Sequence, residues 1–348
     1  MAADSPRYRQ VRPGRAPWLA LALAATLASP LSLATVATPA FDPLQHHALE
    51  DRALVEPEAV LAELPARIEQ ARAAKDQREL ALLFLAQANA CRVIANWTCQ
   101  DTAGADARDA AEIAGEPLLA VRGLIAESRA SIAQQDYTHG ERLLARAEAL
   151  LRTTPSPELF SDVQLAYSSL SFALGKHAAA LDYANRGLLV LKNGTALPMQ
   201  VRLLRNRARS QALFGDVLSA RGSLTVAQRL VESLNDPKLS AELSLESARL
   251  ARTSGDVETQ RQSGRAILAL SEKLKNSQLA GLGHEVMGLA ALDAGDKAAA
   301  ESNLRTAYQA FRQLGRDRDE LRVSREDIRL MLERDASGAA LCQQRPHI

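Results

Sequence analysis

Arginines at helical spacing are the residues of this chain whose types and positions first point to chemistry. The stretch "VRLLRNRARS" from Val201 holds Arg202, Arg205, Asn206 and Arg209. At about 100° per residue, a helix here gathers Arg202, Arg205 and Arg209 into an arc of about 60°, with Arg207 nearly opposite and Leu204 and Ala208 on the adjoining face. Arg249 stands 40 residues after Arg209, Arg252 follows one turn later, and Arg129 keeps the same phase earlier in the chain. A planar guanidinium donates paired hydrogen bonds to a carboxylate, so such a stripe can hold an acidic peptide segment or a chain's C-terminal carboxylate. The same residues can instead form a ladder of surface ion pairs, with Glu242 one repeat beyond Arg202 and Glu246 close by. Pairs of that kind contribute about 0–1 kcal/mol each. The positions one repeat from Arg205 are Leu165 and Leu245, so the sequence predicts no charge partner for it.

Other reactive residues give less. Cys91 and Cys99 flank "RVIANWT". In an oxidising compartment two cysteines across a helical hairpin bridge when their Cα atoms lie within about 7 Å; the alternative is a pair of buried thiols. "GHEVMG" at Gly283 opens like a zinc-protease helix but lacks the second histidine, since Gly288 stands near its place. His46-His47 has no accompanying Cys or carboxylate set, and reads as part of a flexible N-terminal stretch. "GKH" at Gly175 lacks the upstream glycine and the Ser or Thr of a phosphate loop. No nucleophile elbow or paired-carboxylate site is present. The sequence thus predicts no enzyme, no metal and no cofactor.

The elements that carry these residues follow from a repeat. Alanine and leucine dominate an apolar fraction of 47%, aromatics make up only 4%, and no alternating Val/Ile/Thr run is long enough for a strand. The chain reads as all-α. Gly175, Gly215, Gly255 and Gly295 recur in one phase, with Gln135-Asp136 in the same place one unit earlier. Pro117, Pro157, Pro198 and Pro237 recur in another, with Ser277 at the next beat. Proline suits the first turn of a helix and glycine the residue past its end. Each unit is therefore a helix of about 16 residues, a glycine turn, a second helix and a linker, and helical pairs at a period of 20–50 residues build a solenoid.

These residues resemble the tetratricopeptide repeat (TPR) family, with a small residue five positions after the glycine: Ala180, Ala220 and Ala300, and Gly140 in the first unit. The last unit matches best, with Met287-Gly288 followed by Ala300, Leu304 and Ala307. The family's helix-A Trp and Tyr are missing and the period is 40 rather than 34, so the resemblance is to a long-helix variant. It implies a TPR-like superhelix whose first helices line a concave, peptide-binding groove. The expected organisation is a signal or anchor over 1–40, a helical cap and degenerate repeat over 41–115, five repeats over 116–320, and a closing helix and disordered tail over 321–348. Glu56–Asp76 is expected to form a capping helix bent at Pro65. The closing helix is expected to bury Leu321, Ile328 and Met331.

Arg7, Arg9, Arg12 and Arg15 precede an apolar run from Ala16 to Leu33 and the small-residue stretch "LATVATPA". That pattern predicts a secretory signal cleaved after Ala37 or Ala40, or an uncleaved anchor, and places the protein in the periplasm or another extracytoplasmic space. Residues 1–40 hold four of the 42 basic and one of the 41 acidic residues, leaving 38 against 40, a net charge of −2. That balance argues against a nucleic-acid partner. Contact with a membrane is expected only through the N-terminal segment. The function expected is an exported scaffold that binds a protein or peptide on its concave face. The chain also resembles the periplasmic TPR region of bacterial membrane signalling proteins, those ending in a diguanylate cyclase or kinase. It carries no GGDEF-type string and no kinase motif, so that resemblance implies a sensor half without its effector.

Overall fold

In the repeating turn, a helix must stop, reverse and start again within three residues. At Gly215 the backbone adopts φ +76°, the left-handed region that costs glycine little, and Asp216 then accepts a hydrogen bond at 3.1 Å from the amide of Ser219. The recurring glycine ends one helix and the aspartate caps the next. Gln135 (φ 69°) and Ala95 (φ 58°) take the same backbone conformation without glycine, followed by Asp136 and Asn96 as caps. The turn therefore prefers glycine and does not require it.

A computed structural model of the chain describes residues 47–191, 196–234, 236–317 and 319–330. The expected signal or anchor, His46, Met331 and Cys342 lie outside them. Two helices come first, α1 (Ala48–Ala53) and α2 (Pro57–Ala74), the latter running through Pro65. Six helical hairpins follow. Their first helices are α3 (Gln77–Val93), α5 (Pro117–Ala133), α7 (Pro157–Ala173), α9 (Leu197–Leu213), α11 (Pro237–Thr253) and α13 (Ser277–Asp293). Their second helices are α4 (Trp97–Ala114), α6 (Tyr137–Thr153), α8 (His177–Val190), α10 (Val217–Leu234), α12 (Val257–Leu274) and α14 (Lys297–Gln313). Proline stands in the first turn of α5, α7, α9 and α11, where its missing N–H has no helical partner to lose. Residues 319–330 are again helical. The fold is an all-α solenoid of antiparallel helix pairs.

Packing sets the curvature. Each first helix touches the first helix of the next hairpin, from α3 through α13, while consecutive second helices make no comparable contact among the described residues. The layer that packs more closely is the inner one, so the first helices line the concave face. Ala180, Ala220 and Ala300 are fully buried, which lets paired helices approach. Helices α4 and α5 approach closely, and a Cβ at Gly123 would meet the Arg108 backbone nitrogen at 2.6 Å.

The ends depart from the sequence reading in two places. His47 caps α1: its Nδ1 accepts from Leu49 N at 3.0 Å, and its own amide donates to Glu50 at 3.0 Å. The buried carboxylate of Glu50 is bonded by Asn89 and Arg122, which locks this short helix onto α3 and α5. At the other end, Leu321 and Ile328 are 71% and 56% exposed, and Val323 and Leu330 are the residues buried. Both pairs are seven residues apart, so periodicity cannot choose between the two faces. Arg322 decides it, with Nε and Nη2 both 2.6 Å from the oxygens of Glu285 on α13.

Candidate functional site

The arginines of α9 are placed by the apolar residues between them. Val201, Leu204 and Ala208 pack on Ala220, Leu224 and Ala227 of α10 and on Leu239 and Leu243 of α11. That leaves Arg202, Arg205 and Arg209 half-buried on the concave side, while Arg207 turns toward α10 and donates to Ser223 at 3.0 Å. Asn206 is buried and its amide donates to Ser168 and Ser169 of α7 at 3.3 and 3.2 Å. It ties helix to helix and does not face the groove.

Several contacts between neighbouring first helices connect residues 37 apart, as in Arg205–Glu242, Asn206–Ser169 and Arg322–Glu285, while Arg129–Asp162 spans 33. The chain repeats every 40 residues, but inclined helices face each other about one turn short of a full repeat. This corrects the expectation for Arg205, which forms a hydrogen-bonded ion pair with Glu242. The other expected residues divide in the same way. Arg129 pairs with Asp162, Arg249 with Glu246 at 3.1 Å and Arg252 with Asp293 at 3.2 Å. Arg209 lies over the ring of Phe172, 3.5 Å from its centre. Burial brings its pKa down to about 10, with Arg249 and Arg205 adding to the effect and Glu246 opposing it.

Two further cations complete the surface, and neither stands out in the sequence. Arg92, near the end of α3, and Lys238, in the first turn of α11, are half-buried in the same part of the groove as Arg202. The Arg205–Glu242 pair aligns α9 with α11, which brings Arg202 and Lys238, each one turn back, within electrostatic reach of one another. Arg92 is near enough for its charge to act on both. Burial, then Arg202 and Arg129, lower its pKa to about 10. Burial and the charge of Arg92 bring Lys238 down to about 8, with Arg202 adding to the shift and Glu242 and Asp236 opposing it. Burial likewise lowers Arg202, against the pull of Glu242. Glu242 is the converse case: burial alone would raise its pKa, but Arg205, Arg202, Lys238 and Arg92 together hold it below the ordinary carboxylate range. Among the described residues, Arg92, Arg202 and Lys238 form no ion pair or hydrogen bond of their own.

The signal for Arg92 was in the sequence, since it precedes Arg129 by the same interval of 37 residues that separates facing side chains. The next residue to it matters as well. Cys91 is bonded to Cys99 across the α3–α4 turn, with Cα atoms 5.8 Å apart, which fixes the end of α3 where Arg92 stands.

Further along the groove the character changes. Leu245, Ala248, Val286 and Leu289 floor a cavity of about 370 Å³ whose rim carries Arg249 and Arg252. The His284 of "GHEVMG" contacts Asn303 of α14 at 3.1 Å and belongs to the packing of that hairpin. Among the described residues there is no cluster of metal-ligating side chains, and no helix is long and apolar enough to cross a membrane. What the groove can do is hold an anion in its basic half and an apolar group in its other half.

No protein-family profile and no curated protein matches the chain. Solved structures do. The crystal structure of BtubC (BKLC) from P. vanneervenii superposes with a TM-score of 0.51 at 15% identity, covering 64% of this chain and 91% of that one. The apo form of RapI superposes with a TM-score of 0.56 at 12% identity, covering 77% of this chain and 99% of that one. The fold is a TPR-like helical repeat. At these identities the likeness shows the fold alone.

Proposed function

We propose that this chain is a binding scaffold, not an enzyme, that holds an acidic segment of a protein partner along its concave face. The observation that carries this reading is the cluster of Arg92, Arg202 and Lys238, three groove-facing cations with no anionic partner of their own among the described residues. Folding gains nothing from grouping unpaired like charges; a ligand would. The paired arginines, Arg129, Arg205, Arg249 and Arg252, frame that cluster and extend it toward the apolar cavity, so an acidic stretch followed by an apolar side chain suits the groove. We place the protein outside the cytoplasm. The arginine-flanked apolar segment before residue 40 supports this, and so does a Cys91–Cys99 disulfide, which persists in oxidising compartments. The same unpaired cations favour, as a second reading, a sensor domain that responds to a small anion.

The test is capture from envelope extract by the full chain and by Arg202→Glu side by side. The scaffold reading expects a partner retained by the parent, released by moderate salt and lost with the variant. A partner retained equally by both places the contact elsewhere on the solenoid.

A further inference from the structure

The three unpaired cations come from three helices, α3, α9 and α11, and the carboxylates within their reach are already committed. Asp162 is bonded by Arg129, Glu242 by Arg205, and Asp236 caps α11 by accepting from Leu239 N at 2.9 Å. Arg92, Arg129, Arg202, Arg205 and Lys238 set against Asp162, Glu242 and Asp236 leave an excess of two positive charges. Lys238 also stands in the first turn of a 17-residue helix, where the backbone dipole favours an anion.

We propose that Arg92, Arg202 and Lys238 form a binding site for a phosphoryl group, carried either by a small phosphate ester or by a phosphorylated side chain of the groove's partner. A carboxylate brings one charge and two oxygens, and would leave one of the three donors and half of the excess charge unanswered. A phosphoryl dianion brings about two charges and three acceptor oxygens, one for each cation. The two guanidiniums can each donate a forked pair of hydrogen bonds to it, with the ammonium as the third, point-like contact. This inference rests on the same three cations as the scaffold reading and deepens it, though a phosphoryl site stands whether or not a peptide fills the rest of the groove.

The site carries its own control for misfolding. Removing an unpaired, half-buried charge relieves repulsion, so Arg92→Met and Lys238→Met are expected to melt at or above the parent temperature while losing the ligand. The experiment uses the full chain. Melting curves in sodium phosphate are compared with sodium chloride at equal ionic strength. Calorimetric titrations then follow with inorganic phosphate, glycerol phosphate, a phosphoserine peptide and the same peptide with glutamate in its place. Phosphate should raise the parent's melting temperature beyond matched chloride. The phosphoserine peptide should bind at least tenfold tighter than its glutamate counterpart. Both methionine variants should lose phosphate affinity at least tenfold, and Arg305→Gln, an exposed arginine paired with Glu301 on the second helix α14, should keep it. Glycerol phosphate binding as tightly as the phosphopeptide would identify a small ester as the source; tighter phosphopeptide binding would identify a partner's side chain. A parent that responds to phosphate no more than to chloride, or variants that retain the response, would overturn the site. Equal binding of the phosphoserine and glutamate peptides would overturn the phosphoryl assignment and leave the acidic-segment reading standing.

Discussion

The two ends of the concave groove use the same residue type to opposite effect. Toward α13, Arg249, Arg252 and Arg322 each meet a carboxylate, respectively Glu246, Asp293 and Glu285, and the cavity between them has an apolar floor. Toward α3, Arg92, Arg202 and Lys238 gather around a carboxylate, Glu242, that Arg205 has already taken. An arginine on the groove face is thus part of the scaffold where a carboxylate of its own or the neighbouring helix bonds it, and available to a ligand where none does. The paired end contributes to holding neighbouring hairpins together. The unpaired end lowers the stability of the empty protein and is set up to bind.

Reversing charge at the unpaired end should have the largest effect. Arg202→Glu combined with Lys238→Glu is expected to weaken binding of an acidic peptide at least a hundredfold, about 2.7 kcal/mol, in fluorescence anisotropy titrations. Next comes the disulfide beside Arg92. Closing a loop of nine residues is worth about 2–3 kcal/mol in the entropy account. Cys99→Ser should lower stability in urea melts by about that amount, and should weaken anion binding too by freeing the end of α3.

Glu242→Ala compares the two ends directly. It leaves four cations without their shared carboxylate, whereas Glu246→Ala frees one exposed arginine. Chemical denaturation should show a loss of about 1–3 kcal/mol for the first, discounted because the pair is partly solvated, and a loss within about 1 kcal/mol for the second. Equal losses would mean that the basic cluster is no more strained than the ladder.

The smallest effect is on pH dependence. The Lys238 pKa is depressed from 10.5 to about 8 by burial and by Arg92, with Arg202 adding and Glu242 and Asp236 opposing. Folding disfavours its charged form, so that cost is full below pH 8 and is relieved as pH rises from about 8 toward 10.5, where the unfolded chain holds the extra proton. Anion binding runs the other way. A bound anion favours the ammonium, so affinity should fall as pH rises through about 8, and Lys238→Met should flatten that part of the profile.

The sequence made the solenoid legible because its signals are local. A proline in the first turn, a glycine past the end and an aspartate cap each act within a few residues and recur at every unit, as Pro237, Gly255 and Asp256 show. The groove was legible only in part. The helical arc of Arg202, Arg205 and Arg209 follows from one helix, and the structure keeps it. Which of them is paired depends on the 37-residue offset between inclined neighbours, which a 40-residue beat hides. That is why Arg205 was expected to stand alone and instead holds Glu242. Arg92 and Lys238 feel each other's charge although three first helices separate theirs in sequence, which depends on the packing of the whole stack. The exposed Leu321 and Ile328 make the same point, since a period without a neighbour does not choose a face.

The most direct test of the central claim, that unpaired cations mark the binding end of the groove, is a set of three titrations. A fluorescent acidic peptide is titrated into the full chain, Arg202→Glu and Arg252→Glu at low salt. The account predicts at least a tenfold loss for Arg202→Glu, about 1.4 kcal/mol or more, and a loss within about threefold for Arg252→Glu. Equal losses in the two variants, or none in either, would contradict it.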